Sequence, residues 1–305
     1  MENNTFKSGF IAILGRPNVG KSTLMNHLIG MKIAAVSKRA QTTRKRIQTV
    51  YTDDRGQIIF LDTPGVNKAE TKLGEFMLDS ATETLKTADM VMWIIEPSSF
   101  IGMGEKSIVE MISKAGKLPL VLLINKCDTA TEEQLSKTEA LYTDYLAESG
   151  VEVTKVFAVS ATEGTRLDDL MQGLYDILPE GPMYFDEDTV TDETERDIAA
   201  EFIREKCLRN LDKEIPHGIA VIIDKMRERP DGSLVDIEAT IICERESHKG
   251  IIIGKKGAML KKIGIESRKS IEEMLDMKVN LKLWVKVRPD WRNKTSYMSE
   301  YGYHK

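Results

Sequence analysis

At 305 residues, with 41% apolar and 30% charged residues, the chain is long enough for two domains with separate cores and has the polarity of a soluble protein. No run approaches the ~18 apolar residues of a membrane span, and Met1-Glu2-Asn3-Asn4-Thr5 lacks the basic-then-apolar pattern of an export signal, so a cytoplasmic protein is expected. The net charge of −5 is unevenly spread: residues 201–305 hold 22 Lys and Arg against 17 Asp and Glu, a basic third that suits a polyanion partner. Cys127, Cys207 and Cys243 are scattered and odd in number, which fits core packing in a reducing compartment better than disulfides or zinc.

In chain order, the apolar run Phe10–Leu14 predicts a strand and Thr23–Ile29 a helix. Between them lies Gly15-Arg16-Pro17-Asn18-Val19-Gly20-Lys21-Ser22, the spacing G-x4-G-K-[ST]. The two glycines let backbone N–H groups turn inward around phosphate oxygens at a helix N-terminus. Lys21 can reach the β and γ phosphates, and the Ser22 hydroxyl can ligate Mg2+. A polar, basic loop follows, residues 37–46, and there Thr42 and Thr43 both qualify as the group that senses the γ-phosphate and completes the Mg2+ shell, with Thr43 favoured. Strands at 47–52 and 57–61 form a hairpin through Asp53-Asp54-Arg55-Gly56. The second strand ends in Asp62-Thr63-Pro64-Gly65, where Asp62 can hold a Mg2+-bound water and the Gly65 N–H can meet the γ-phosphate.

Helices near 71–87, 105–115, 131–149 and 167–177 alternate with buried strands at 90–95, 120–124 and 153–159. This is an α/β pattern with a mostly parallel sheet. Asn125-Lys126-Cys127-Asp128 follows the strand at 120–124. The Asp128 carboxylate can accept from both N1–H and the 2-amino group of guanine, which adenine cannot match. Lys126 can cover the base with its stem, Asn125 can fix the loop, and Ser160-Ala161 can offer a backbone N–H to guanine O6. Together these motifs point to GTP or GDP with Mg2+. Val66 stands where many such proteins place a water-orienting Gln, so slow intrinsic turnover is expected. Asn18 is a candidate ligand for a K+ ion that would fill the gap, beside the plainer reading of a loop asparagine satisfying local backbone.

Pro179-Glu180-Gly181-Pro182 ends the last helix, and residues 180–197 hold eight acids against Arg196 alone. Residues 179–191 read as an acidic linker, with Thr191 or Asp192 capping the next helix. Strands at 219–226 and 235–243, two helices and a last alternating strand at 279–287 give the order α-β-β-α-α-β, read as an antiparallel-type α+β module. Its two helices flank Ile251-Ile252-Ile253-Gly254-Lys255-Lys256-Gly257. Such a GxxG turn lets a nucleic-acid backbone approach closely while lysines neutralise it, the clamp of a type II KH domain. The predicted RNA contacts are Ile253, Gly254, Lys255, Lys256, Gly257, Lys261 and Lys262. Lys278, Lys282, Trp284 and Lys286 share a face read as solvated, and Trp291, Tyr297, Tyr301 and Tyr303 are read as anchors in a tail. The expected domains are 1–178, 192–287 and a tail over 288–305.

The segments GRPNVGKS, KRAQTTRKR, DTPG, NKCD and VSA, joined to IIIGKKGAMLKKIG, resemble the Era family of bacterial GTPases over essentially the whole chain. The resemblance implies a monomeric regulator of small (30S) ribosomal subunit assembly. Its KH domain would bind the single-stranded 3′ end of 16S rRNA, with the GTP or GDP state controlling access. It also implies loose, peripheral membrane association. By residue it assigns phosphate contacts to Gly15–Ser22, Mg2+ to Ser22 and Thr43, switch roles to Asp62–Gly65 and guanine contacts to Asn125, Lys126, Asp128 and Ala161. Two other readings stand beside it: an RNA-binding tether with a mainly structural nucleotide site, and a membrane or cell-cycle GTPase.

Overall fold

The computed structural model describes residues 6–32, 34, 43–65 and 69–303. The chain forms two compact units, the first carried mainly by residues up to Asp192 and the second mainly by Glu193 onward. In the first unit the elements run β1 (Lys7–Gly15), α1 (Lys21–Ile29), β2 (Ile47–Asp53), β3 (Gly56–Asp62), α2 (Lys72–Thr87), β4 (Met90–Ile95), α3 (Met103–Ala115), β5 (Leu120–Ile124), α4 (Glu132–Glu148), β6 (Lys155–Ala158) and α5 (Leu167–Ile177). The sheet order is β2-β3-β1-β4-β5-β6, parallel except for β2, which returns antiparallel on β3. β4 and β5 are buried at every position, which is why their sequences are unbroken apolar runs. One face packs Ile11, Ile13, Met92, Ile94 and Leu123 against Leu170 and Leu174 of α5; the other packs Leu14, Trp93 and Leu122 against Ile108 and Tyr142. α4 starts on a full capping box between Thr131 and Gln134.

The acidic segment after α5 is not a free linker. It is strapped along the first unit by Ser8 N–H on the Pro179 carbonyl (3.1 Å), Gly181 N–H on Phe6 (3.2 Å) and Val50 N–H on Val190 (3.0 Å). Midway, the Gln57 side chain accepts from Tyr184 and Phe185 N–H at 2.8 and 3.0 Å and donates back to the Phe185 carbonyl at 2.9 Å. Thr191 donates its hydroxyl to the Gln48 carbonyl, and the Asp192 carboxylate accepts from the Gln48 N–H. Both side chains are thereby used on the edge of β2. The cap predicted at Thr191 or Asp192 falls instead to Thr194, whose Oγ accepts the Asp197 N–H.

The second unit runs α6 (Glu195–Asn210), β7 (Ala220–Glu228), β8 (Val235–Cys243), α7 (Glu246–Ile253), α8 (Ala258–Leu275), β9 (Val279–Val287) and α9 (Thr295–Glu300). The predicted element order holds, but the sheet is mixed: β7 and β8 pair antiparallel, β8 and β9 parallel. The parallel pair follows from the α7–α8 crossover, since a helical crossover returns the chain in the same direction. Phe202, Ile203, Ile237, Ile241, Ile263 and Ile271 are wholly buried in its core, with Leu260 and Met274 half-buried against it. Cys207 and Cys243 are buried there too. Trp291 is buried and donates its indole N–H to the Gly218 carbonyl at 2.9 Å. Tyr303 stacks on it and Tyr301 meets it edge-on, so these aromatics are packing anchors.

Candidate functional site: a nucleotide loop cluster and a nucleic-acid groove

The motifs of the first unit gather at the C-terminal ends of its parallel strands, where open α/β sheets bind ligands. Gly15 ends β1, Asp62 ends β3, Asn125 follows β5 and Ser160 lies just beyond β6. In the loop after β1, Asn18 and Gly20 take left-handed conformations, φ 70° and 102°. A Cβ at Gly20 would run into the Asn125 amide nitrogen, so that glycine is required by tertiary packing as well as by the turn. Asn125 ties three loops together: its amide donates to the Val19 carbonyl (2.7 Å), and its Oδ1 accepts the Ala161 N–H (2.9 Å). The N–H expected to meet guanine O6 is thus engaged by Asn125 in this structure. The Cys127 N–H on the Val159 carbonyl (3.0 Å) brings the 125–128 and 160–161 loops side by side. Asp128 is exposed in the short turn Cys127–Thr129, and Lys126, at φ 62°, pairs its ammonium with Glu96 at 2.5 Å. Ser160 closes a small turn, accepting the Glu163 N–H on its hydroxyl.

Lys21 is buried and donates to the Gly15 and Arg16 carbonyls at 3.0 and 3.2 Å. Burial lowers its pKa, opposed by the charge of Asp62. Ser22 Oγ lies 3.3 Å from Thr43 Oγ1, which donates to Asp62 Oδ2 at 3.4 Å. The other oxygen, Asp62 Oδ1, is buried without a hydrogen-bond partner among the described residues. Two hydroxyls and a carboxylate with an unsatisfied oxygen fit a hard divalent cation of the Mg2+ kind, held directly by Ser22 and Thr43 and through water by Asp62. Thr42 and Val66 lie outside the described residues.

Burial pushes the Asp62 carboxyl up to about 6, with Lys21 and then Thr43 pulling the other way. A folded pKa above the unfolded 3.8 means the proton favours the folded chain. This group's contribution to stability is therefore full below about 4 and lost as pH rises through about 6. The same proton competes with a cation. The Mg2+ concentration giving half-maximal GTP hydrolysis should rise as pH falls from 7.5 through 6, by up to about tenfold per unit below it. A Mg2+ titration at several pH values checks this, and an unchanged requirement at pH 5.5 would refute the role of Asp62.

Two expected contacts have other duties. The Thr63 hydroxyl donates to the Ile13 carbonyl at 2.7 Å and braces β3 against β1. The Arg16 side chain points to Glu105 of α3, 2.7 Å away. Pro64 is buried, and a Cβ at Gly65 would meet Pro17 Cγ at 3.0 Å, so the 62–65 segment packs directly on the loop of β1. Glu96 and Glu105, which hold Lys126 and Arg16, belong to no local motif, and only contacts between distant segments reveal them.

In the second unit, Gly254 (φ 72°), Lys256 (φ 52°) and Gly257 (φ 78°) shape the turn between α7 and α8. A Cβ at Gly254 would lie 2.8 Å from Met259 Cβ, which excludes other residues there. Lys255, Lys256, Lys261 and Lys262 are exposed, Ile253 is half-buried, and Lys262 faces Glu266 at 4.0 Å. Beside the turn runs an open groove of about 370 Å³, lined by Gly257 of the turn, by Leu260, Lys261, Ile265 and Arg268 of α8 and by Leu281 and Leu283 of β9. An apolar floor with basic residues on one rim suits stacked bases with phosphates outside. The turn is legible in the sequence but the groove is not, because Leu281 and Leu283 lie on a separate strand that meets α8 only in the fold. Lys282, Trp284 and Lys286 are exposed on the other face of β9, as expected.

Comparison with known proteins gives one consistent result. A family profile described as a 50S ribosome-binding GTPase matches residues 10–126, and a KH-domain profile matches residues 214–292. A GTPase Era from Alkaliphilus metalliredigens is 48% identical over 98% of this chain and 99% of its own. A crystal structure of an Aquifex aeolicus Era variant bound to GDP·AlF4− superposes with a TM-score of 0.92 at 37% identity, covering 98% of this chain and all of the other. A second Era structure, in complex with MgGDPNP and nucleotides 1506–1542 of 16S ribosomal RNA, superposes with a TM-score of 0.91 over the same shares.

Proposed function

The chain belongs to the Era family of GTPases, and on that premise we propose that it is a nucleotide-gated RNA-binding switch for the small ribosomal subunit. Its first unit is a P-loop GTPase domain and its second a KH domain, and it hydrolyses GTP. The proposal places GTP hydrolysis in residues 1–178 and RNA binding in 192–287. Backbone N–H groups of Gly15–Ser22 and the Lys21 ammonium would hold the phosphates. Ser22, Thr43 and Asp62 would hold Mg2+, which supplies charge neutralisation at the β and γ phosphates. Asp128 would read guanine, while Lys126 and the Ala161 N–H, shared with or released by Asn125, complete the base pocket. Gly65 would sense the γ-phosphate, so that its loss frees the 62–65 segment from Pro17.

The observation that carries the reading is the Ser22–Thr43–Asp62 relay at 3.3 and 3.4 Å, in a chain that also holds a GxxG groove. Thr43 comes from the segment before β2 and Asp62 from β3. Ser22, Thr43 and Asp62, held together on one cation, would couple nucleotide state to chain position. The relative crystallised with nucleotides 1506–1542 of 16S ribosomal RNA supports 16S rRNA as the ligand; the 3′ end of that RNA and 30S maturation are the proposed target and setting. The working state is proposed to be a cytoplasmic monomer, with any membrane contact peripheral. Among the described residues no helix is long and apolar enough to cross a membrane. RNA affinity should differ at least about tenfold between GDP and a non-hydrolysable GTP analogue, a coupling of about 1.4 kcal/mol. Equal affinities would leave an RNA tether with a structural nucleotide site.

We further propose that Asn18, whose side chain is exposed in the phosphate loop, would hold a K+ ion against the phosphates. Hydrolysis should then be at least about tenfold faster in K+ than in Na+, as expected when one transition-state charge contact is lost. Equal rates in the two salts would remove the ion from the mechanism.

A further inference from the structure

The phosphate loop has a neighbour that none of its motifs predicts. Arg16 is the first residue of that loop after β1, and its side chain runs across the first turn of α3. A Cβ at Gly104 would sit 3.3 Å from Arg16 Cδ and 3.4 Å from Arg16 Nε. The guanidinium ends on Glu105 Oε1 at 2.7 Å. Glu105 is 6% exposed, and its second oxygen is buried with no hydrogen-bond partner among the described residues. A buried carboxylate loses much by giving up a charged partner, so Glu105 favours keeping Arg16, whose own side chain is about half exposed. In the backbone of the same residue, the Arg16 carbonyl accepts from Lys21 Nζ at 3.2 Å, beside the Gly15 carbonyl at 3.0 Å.

We infer that Glu105 is a positioning residue for GTP hydrolysis: it clamps Arg16 flat on α3 and so sets the loop carbonyls that aim Lys21. The inference rests on the reading of Lys21 as the phosphate-binding lysine. Gly104 belongs to the same device, because a side chain there would press on the arginine stem.

Single-turnover GTP hydrolysis and GDP affinity would be measured for Arg16→Ala, Glu105→Ala, the double variant, Glu105→Gln and Gly104→Ala, with Lys21→Ala as reference. Arg16→Ala and Glu105→Ala should each slow hydrolysis about tenfold, and the double variant should be no slower than either, the signature of one shared interaction. Glu105→Gln keeps an acceptor for Arg16 and should recover most of the rate lost in Glu105→Ala. Gly104→Ala should slow hydrolysis with thermal stability near that of the unsubstituted protein. Multiplying effects in the double variant, or stability losses with unchanged hydrolysis, would overturn the clamp. Unimpaired hydrolysis in Lys21→Ala would instead overturn the underlying reading of the loop.

Discussion

Replacing Asp128 by Asn should lower GTP affinity by about two to four orders of magnitude, and turn part of the preference toward xanthine nucleotides. In the proposed base pocket the carboxylate would accept two hydrogen bonds from guanine, at N1–H and the 2-amino group. An amide in its place sets a donor against the 2-amino group, whereas the carbonyl at that position of xanthine accepts it. The loss combines a missing bond with an unpaired polar group facing the base, which costs more than the bond alone. Asp128 is exposed on the Cys127–Thr129 turn, so the fold should tolerate the change, with thermal stability altered by less than about 1 kcal/mol. Competition of labelled GDP by GTP and by xanthosine triphosphate measures both effects. Unchanged GTP affinity would place the base elsewhere.

Reversing both lysines of the α7–α8 turn, Lys255→Asp with Lys256→Asp, should weaken binding of a single-stranded 16S 3′ RNA at least about a hundredfold at moderate salt. Two lost phosphate contacts on a single strand should also lower the slope of log affinity against log salt by about 1.4. Asp accepts the left-handed conformation of Lys256 better than most residues, and both side chains are exposed, so the turn should keep its shape. GTP affinity should stay as it was. If it fell in step with RNA affinity, the proposed division of labour between 1–178 and 192–287 would fail. A drop in RNA affinity with an unchanged salt slope would mean that the lysines shape the turn rather than meet phosphates.

The GTPase site owes its legibility to local geometry. G-x4-G-K-S, D-T-P-G and N-K-C-D each work within a few residues at a strand end, so the residues that shape each loop stand next to those that use it. The same holds for the GxxG turn, whose positive φ values at Gly254 and Gly257 follow from the turn itself. Buried strands announced themselves as apolar runs because both faces of the sheet are covered, and all the strands and helices expected of both units are present.

What the amino-acid order could not show lies in contacts between segments far apart in the chain. The acids of 180–192 read as a linker by composition, yet backbone hydrogen bonds and Gln57 bind that segment to the first unit. Composition does not register a backbone partner more than a hundred residues away. The parallel pairing of β9 on β8 is a property of the crossover path, which strand periodicity does not contain. Thr63 and Arg16 sit inside recognised motifs but spend their side chains on Ile13 and Glu105. Asn125 was legible as part of a guanine loop, but its reach to Val19 and Ala161 was not. Sequence therefore determined which chemistry each loop can perform, since that depends on residue type and spacing along a few residues. Tertiary structure alone decided which side chains are free for that chemistry, because a buried donor or charge takes the nearest partner the fold supplies.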